Sequence, residues 1–303
     1  MATGRFAPSP TGVLHLGNLR TALLAWLFAR SSGGRFLMRV DDLDPVLSDA
    51  DHEAQQLADL AELGVEWDLP VVRQSERRSA HEAALAELAA AGLTYECWCS
   101  RREILEASEA PHADLRAGTV PPGAYPGTCR DLTGEERRER AAQGRPAAVR
   151  LRSAGGSVTV VDRLRGPVTT VIDDVVLRRN DGVPAYNLAT VLDDADMGVE
   201  EVVRGDDLLS STPRQAHLAD LLGRARPTWA HVPLVVGADG DRLAKRHGAV
   251  TMADLAAEGV DGAGVRALLA TSLGLAAPGE AVTMQQLLDR FDPAALPTDP
   301  WVI

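Results

Sequence analysis

Lysine is almost missing from this chain. Of 31 basic side chains only Lys245 is a lysine, and all the others are arginine. Where arginine fills every site at which a generic cation suffices, the one retained lysine is a candidate for a site that needs a compact, flexible ammonium. Cysteine is scarce as well: there are three, and all fall between Cys97 and Cys129. In a reducing compartment such clustering argues against disulfides and for a metal. No apolar run approaches the length that spans a bilayer, and the first residues carry no basic-then-apolar leader, so a cytoplasmic protein without membrane attachment is expected. Positive charge is in deficit, with a formal net charge of −12. That argues against indiscriminate nucleic-acid binding, which rests on phosphate neutralisation, and an RNA partner would have to meet a local basic face.

What is present is enough for one large core with small attachments: 303 residues, 45% of them hydrophobic. The stretch Gly4 to Asn18 reads G-R-F-A-P-S-P-T-G-V-L-H-L-G-N. Thr3 to Ala7 suits a short strand, Pro8, Pro10 and Gly12 break it, and Leu19, Leu23, Trp26 and Leu27 then recur at helical spacing. His15 to Asn18 therefore sits at a helix N-terminus, where unpaired N–H groups and the helix dipole favour phosphate. Gly17 lets a ring or phosphate approach the backbone, while His15 and Asn18 add donors without negative charge. The plainer alternative is a capped core helix whose histidine faces solvent.

After Gly33-Gly34, Arg35 to Val40 reads as a second buried strand, and strand–helix–strand opens a parallel α/β unit. Asp41, Asp42 and Asp44 fall at that strand's carboxyl end, where such sheets bind ligands and a carboxylate can hold a substrate amine; alternatively they cap a helix starting near Ser48. Asp49–Leu63 and Ala80–Ala91 have the spacing of helices that cover the sheet, closed by Gly64 and Gly92. Cys97, Cys99 and Cys129 need a fourth ligand for tetrahedral zinc, and by chemistry alone His112 is the natural choice. Capping boxes at Ser100/Glu103 and Thr133/Glu136 start helices on either side of this loop, the second carrying a solvated run of Arg137, Arg138 and Arg140. Strands follow at Ala147–Leu151, Ser157–Val161, Val168–Ile172 and Val175–Arg178, with a turn at Asn180-Asp181-Gly182. The segment Pro184 to Asp196 returns to the core, and a strand at Glu200–Val203 runs into Arg204-Gly205-Asp206-Asp207. Arg204 can fork onto a substrate carboxylate there or pair with Asp206 or Asp207. A helix opens at Thr212-Pro213, Ala230–Val236 is the last strand of the sheet, an Asp239-Gly240 turn follows, and Thr251 to Ile303 gives two or three short helices.

Several of these stretches, in this order, resemble the class I aminoacyl-tRNA synthetases of the glutamyl branch. R-F-A-P-S-P-T-G-V-L-H-L-G-N is similar to their "HIGH" signature, and A-Y-N-L-A-T-V-L-D-D and V-V-R-G-D-D-L resemble their amino-acid-binding motifs. R-L-A-K-R resembles the "KMSKS" loop, with Arg242 for its first lysine, Ala244 for its serine and Lys245 kept. The resemblance implies a Rossmann-like parallel sheet divided as 1–96 and 146–250, a zinc-binding insertion at 97–145 and a helical appendix at 251–303. It implies glutamate held by Arg5, Ala7, Ser9, Tyr186 and Arg204, with Asp41 near the amine. The family usually has glutamate at position 41, one methylene longer, so a water can intervene here. ATP, as its magnesium complex, would be held by His15, Gly17, Asn18 and Lys245, with His15, Asn18 and Lys245 catalytic. The branch's C-x-C…Y-x-x-x-C zinc pattern falls on Cys97, Cys99, Tyr125 and Cys129, which makes Tyr125 the rival of His112. The residues after Gly248 are too few for the family's anticodon-binding domain. The expected activity is therefore glutamate activation by a monomer, followed by transfer to queuosine in the anticodon of tRNA(Asp). A glutamyl-tRNA-charging core, a small-molecule nucleotidyltransferase and a non-catalytic RNA-binding paralogue remain the alternatives.

Overall fold

The structure, a computed structural model, describes residues 1–109, 125–240 and 250–303; His112 and Lys245 fall outside the described residues. The first α/β unit forms as the sequence predicts: β1 (Gly4–Phe6), α1 (Leu16–Ser31) and β2 (Phe36–Val40). Then come α2 (Ala50–Leu63), β3 (Val72–Arg73), α3 (Arg78–Ala90), β4 (Thr94–Cys97), α4 (Arg101–Glu109), α5 (Gly134–Ala142) and β5 (Ala148–Leu151). β6 (Ser157–Asp162) and β7 (Gly166–Val171) make a hairpin, followed by β8 (Val176–Arg178), α6 (Tyr186–Asp196), β9 (Glu201–Gly205), α7 (Thr212–Leu221) and β10 (Thr228–Val232). The chain closes with β11 (Val235–Val236), α8 (Met252–Ala257), α9 (Gly262–Ser272), α10 (Met284–Arg290) and β12 (Trp301–Val302).

The main sheet has the order β3-β2-β1-β9-β10-β6-β7, parallel except for β7, which turns back on β6. This is the Rossmann-like α/β class that the sequence implies. Because side chains alternate along a strand, the sheet has two distinct faces. One carries Phe6, Phe36, Met38, Val203, Ala230 and Val232, and packs on α1 together with Val265, Leu269 and Leu287 from the last helices. The other carries Leu37, Val202, Trp229 and Val160 under Ala216 of α7. Two residues further along three of these strands, the same face presents Arg39, Arg204 and His231 in place of hydrocarbon. All three are buried. One sheet face thus changes from apolar to charged at the carboxyl ends of its strands, where parallel α/β sheets bind ligands.

Three details depart from the sequence reading. The strand expected over Ala230–Val236 stops at Val232, because Pro233 has no N–H for the ladder; Val235–Val236 pairs instead with Trp301–Val302, a terminal strand that the helical reading of the last residues did not include. β4, β5 and β8 form a separate antiparallel sheet beside the cysteines. The acids after β2 also part company. Asp44 bonds to Arg179 at 2.7 Å, Asp42 accepts the amide and hydroxyl of Ser75, and α2 is capped by Asp49. Only Asp41 joins the buried cluster described below. Among the described residues no helix is long and apolar enough to cross a membrane.

Candidate active site

The helix start of α1 is built by its own residues. His15 is the N-cap, its Nδ1 accepts the Gly17 amide at 3.1 Å, and the Asn18 side chain accepts the His15 amide at 3.2 Å. With Nδ1 occupied as an acceptor, the imidazole proton belongs on Nε2. A Cβ on Gly17 would lie 2.9 Å from His15 Cε1, so the group that crowds Gly17 is this histidine ring. The amide of Leu16 donates to the Val250 carbonyl at 3.0 Å, and His15 forms an isolated bridge with Thr251. Val250 and Thr251 thus lie against the start of α1.

A second cluster lies at the carboxyl ends of β1, β2 and β9. Arg5 gives Nε and an Nη to the two oxygens of Asp194, at 3.1 and 3.2 Å. Arg39 gives Nη1 to Asp194 at 2.5 Å and Nε to Asp41 at 2.7 Å. Burial pushes the Asp194 carboxyl up, but Arg5 and Arg39 outweigh it and hold it below the ordinary aspartate range. At Asp41 burial wins over Arg39, and the carboxyl is raised. The ion pair with Arg39 only partly offsets that burial, and an approaching ammonium would add a second partner. The nearby loop is pinned so that Ala7 and Ser9 follow β1 in a fixed path: Asp41 N donates to Pro8 O at 2.8 Å, and Gln56 Nε2 to Ser9 O at 3.0 Å.

Arg204 behaves differently from Arg5. Its Nε donates to His231 Nε2 at 3.0 Å, Nη1 to the Tyr186 hydroxyl at 3.4 Å, and Nη2 to Thr212 Oγ1 at 2.9 Å and Leu208 O at 3.5 Å. Among the described residues none of its bonding partners is a carboxylate; Asp206, a candidate from the sequence, bonds to Arg165 at 2.6 Å instead. Burial lowers the Arg204 pKa, so this cation too lacks full compensation. Tyr186, the first residue of α6, is 42% exposed and passes the Arg204 contact to the surface. The site therefore offers a buried cation with no carboxylate partner among the described residues and a carboxylate that Arg39 only partly offsets, at the carboxyl ends of β9 and β2, the strands on either side of β1. Arg39, Asp194, His231 and Asp162 were not among the sequence candidates. The signal for Arg39 was available, since R-F-L-M-R-V places an arginine in phase with Leu37 inside a buried strand.

Beside this cluster is a cavity of about 560 Å³, lined in part by Tyr186, Asn187, Arg214, Arg101, Arg150 and Tyr125. Tyr125 leads to the cysteines. Its hydroxyl lies 3.3 Å from Cys97 Sγ and 3.6 Å from Cys99 Sγ, the Cys99 and Cys129 sulfurs are 3.5 Å apart, and all three sulfurs fall within 4.8 Å of one another. A tetrahedral zinc, with bonds of about 2.3 Å to sulfur and about 2.0 Å to oxygen, sets O···S near ~3.5 Å and S···S near ~3.8 Å. The two O···S distances and the Cys99–Cys129 S···S distance are close to those values, and the phenol oxygen also accepts the Cys129 amide at 2.7 Å. Hydrogen bonding from Cys99, then from Tyr125 and Arg150, holds the Cys97 thiol well below its usual range against burial, whereas burial and the neighbouring sulfurs push the Tyr125 phenol up. The Arg150 guanidinium lies over the Tyr125 ring, 3.8 Å from its centroid.

Comparison with known proteins adds the following. A family model for the catalytic domain of class I tRNA synthetases (E and Q) matches residues 1–302. A glutamyl-Q tRNA(Asp) synthetase from Nocardia farcinica is 59% identical over 300 residues, covering 99% of this chain and 92% of that protein. A glutamate–tRNA ligase 1 from Acidithiobacillus ferrooxidans is 41% identical over 259 residues, which cover 84% of this chain but 53% of the ligase. Among solved structures, a glutamate tRNA ligase from Elizabethkingia meningosepticum in complex with its amino acid superposes with a TM-score of 0.81 at 25% identity, covering 99% of this chain and 66% of the other.

Proposed function

The chain belongs to the class I tRNA synthetases of the glutamyl and glutaminyl kind, and from that premise we propose that it activates glutamate with ATP and transfers the glutamyl group to queuosine in the anticodon of tRNA(Asp). The observation that carries the glutamate reading is the placement of a cation and a carboxylate at the carboxyl ends of the two strands that flank β1: Arg204, whose bonding partners among the described residues are all neutral, and Asp41, whose carboxyl burial raises despite its ion pair with Arg39. Asp41 suits the α-ammonium, directly or through a water, and Arg204 with Tyr186 suits the side-chain carboxylate. Arg5 is already bound to Asp194, so its part is to fix the floor of the pocket beside Ala7 and Ser9.

In the first step the glutamate α-carboxylate attacks the α-phosphorus of magnesium-bound ATP; the bond to the bridging oxygen breaks, pyrophosphate leaves and glutamyl-adenylate remains. The amides at the start of α1, the Nε2–H of His15 and the ammonium of Lys245 would stabilise negative charge that grows on the phosphates. Gly17 keeps that helix start open, and Asn18 holds it in shape. In the second step an acceptor hydroxyl attacks the acyl carbon and AMP leaves. The cavity between Tyr186 and Arg150 is a route by which an unstacked nucleoside can reach the adenylate. A zinc ion held by Cys97, Cys99, Tyr125 and Cys129 would be structural. It would fix the wall of that cavity. The enzyme would act as a monomer in the cytoplasm, where tRNA, ATP and a milieu that keeps thiols reduced occur together.

The choice of acceptor is supported by degree of similarity. The Nocardia glutamyl-Q tRNA(Asp) synthetase is 59% identical over 300 residues, whereas the glutamate–tRNA ligase is 41% identical over 259. The test is incubation with ATP, labelled glutamate and tRNA(Asp) with or without queuosine, after glutamate-dependent exchange of pyrophosphate into ATP has been measured without tRNA. Label should appear only on the queuosine form. Equal labelling of both forms, or labelling of tRNA(Glu) that is lost when its terminal adenosine is oxidised, would reverse the assignment.

A further inference from the structure

We propose that Asp162 and His231 are positioning residues for Arg204, holding its guanidinium through a neutral imidazole so that its charge stays available to the substrate carboxylate. This rests on the glutamate reading above.

Arg204 and His231 are register partners on β9 and β10, and their side chains are buried against each other. A guanidinium has donors only, so the Arg204 Nε contact at 3.0 Å requires a bare lone pair on His231 Nε2. The imidazole proton must then sit on Nδ1, where Asp162 Oδ2 accepts it at 2.6 Å. The other Asp162 oxygen accepts three backbone amides, from Leu164 at 3.0 Å, Arg165 at 2.9 Å and His231 at 3.2 Å. The carboxylate is thereby locked in charge and orientation. Thr212 Oγ1, which accepts from Arg204 Nη2, lies 3.2 Å from the same Nε2 and completes the support.

Why an imidazole stands between the two charges follows from the contrast with Arg5. A carboxylate in direct contact, as Asp194 is with Arg5, orients an arginine but also neutralises it. Here the anchor is anionic, yet what touches the guanidinium is a neutral acceptor. Orientation is transmitted and most of the charge is not. The cation is left with a strong preference for an incoming carboxylate over an uncharged amide.

The isosteric change Asp162→Asn tests this. The three amides still require an oxygen at the Oδ1 position, so the new NH2 faces His231 Nδ1. The imidazole proton moves to Nε2, and Nε2–H then opposes Arg204 Nε–H. The KM for glutamate in tRNA-independent pyrophosphate exchange should rise about tenfold or more, a change typical of losing one hydrogen bond to a charged group. The preference for glutamate over glutamine should shrink in step, and the KM for ATP should stay within about twofold because the phosphate contacts lie elsewhere. Long-range proton–nitrogen spectra of histidine-labelled protein should show His231 protonated on Nδ1 in the wild type and on Nε2 in the variant. His231→Gln, which keeps an acceptor facing Arg204 but cuts the link to Asp162, should lose less than Asp162→Asn. An Nε2–H tautomer in the wild type overturns the proposal, as does a flipped tautomer with unchanged glutamate KM, or the reverse order of the two variants. Absence of glutamate-dependent exchange in the wild type would instead overturn the functional reading, and the tautomer measurement does not depend on it.

Discussion

Arg5 and Arg204 look alike in the sequence, each an arginine in a short strand, and the resemblance assigned both to glutamate. The structure separates them by their partners among the described residues, a carboxylate for one and neutral acceptors for the other. That distinction was not legible, because Asp194 and His231 lie far along the chain and reach these arginines only through the sheet order. The position of Arg204 itself was legible, since a strand pattern running into an arginine fixes a strand's carboxyl end. Lys245 was singled out by composition alone, and its role in activation stands as a proposal. Lys245→Arg should lower the rate of glutamate-dependent pyrophosphate exchange at least about tenfold, because a planar guanidinium misplaces a donor worth on the order of 2 kcal/mol in the transition state. A near-normal rate would mean that the lone lysine is an accident of composition.

At the scale of elements, the strand and helix periods were legible almost throughout, and the failures share a cause. Pro233 ends β10, and the residues beyond it find a partner only in β12, some sixty-five residues away by roughly the reach of the whole terminal region. The cysteine cluster was legible as a set; its fourth member was not, because Tyr125 and His112 are both close to it in sequence. The Tyr125 hydroxyl lies 3.3 and 3.6 Å from two of the sulfurs, and His112 lies outside the described residues. Purified protein should carry about one zinc per chain, as clustered thiolates of this kind bind tightly. Tyr125→Phe should weaken zinc retention more than His112→Ala, measured by competition with a chromogenic chelator, and the opposite order would move the fourth ligand to His112. Stripping the metal should raise hydrogen exchange in β4 and β5, which border the cysteines, while leaving α1 protected.

For the whole molecule the buried charges predict a two-stage loss of stability in acid. His231 and His217 are held below the ordinary imidazole value, chiefly by burial, so they contribute stability that is complete above about 6.5, their unfolded value, and is lost as the pH falls through the folded values. Asp193 and Asp194 are also depressed. Burial pushes both up, but His81 and Arg77 hold the first down and Arg5 and Arg39 the second, so their contribution is complete above about 3.9 and is lost below it. Asp41 is raised and has the opposite sign, since its protonation returns some stability on acidification. Urea midpoints followed against pH should show both stages, and Asp193→Asn should weaken the second while leaving the first; an unaltered second stage would contradict this. The seam between α1 and the last helices has a different kind of consequence. Phe28 meets Phe291 with ring centroids 5.2 Å apart, and Arg20 reaches Pro233 O at 2.9 Å and Ser272 Oγ at 3.2 Å. During synthesis α1 must therefore wait, one apolar side uncovered, until α9 and α10 have followed it from the ribosome. Such long-range closure makes folding slow and leaves the nascent chain open to aggregation and to chaperones, so that α1 is made well before the segment that sets it in place.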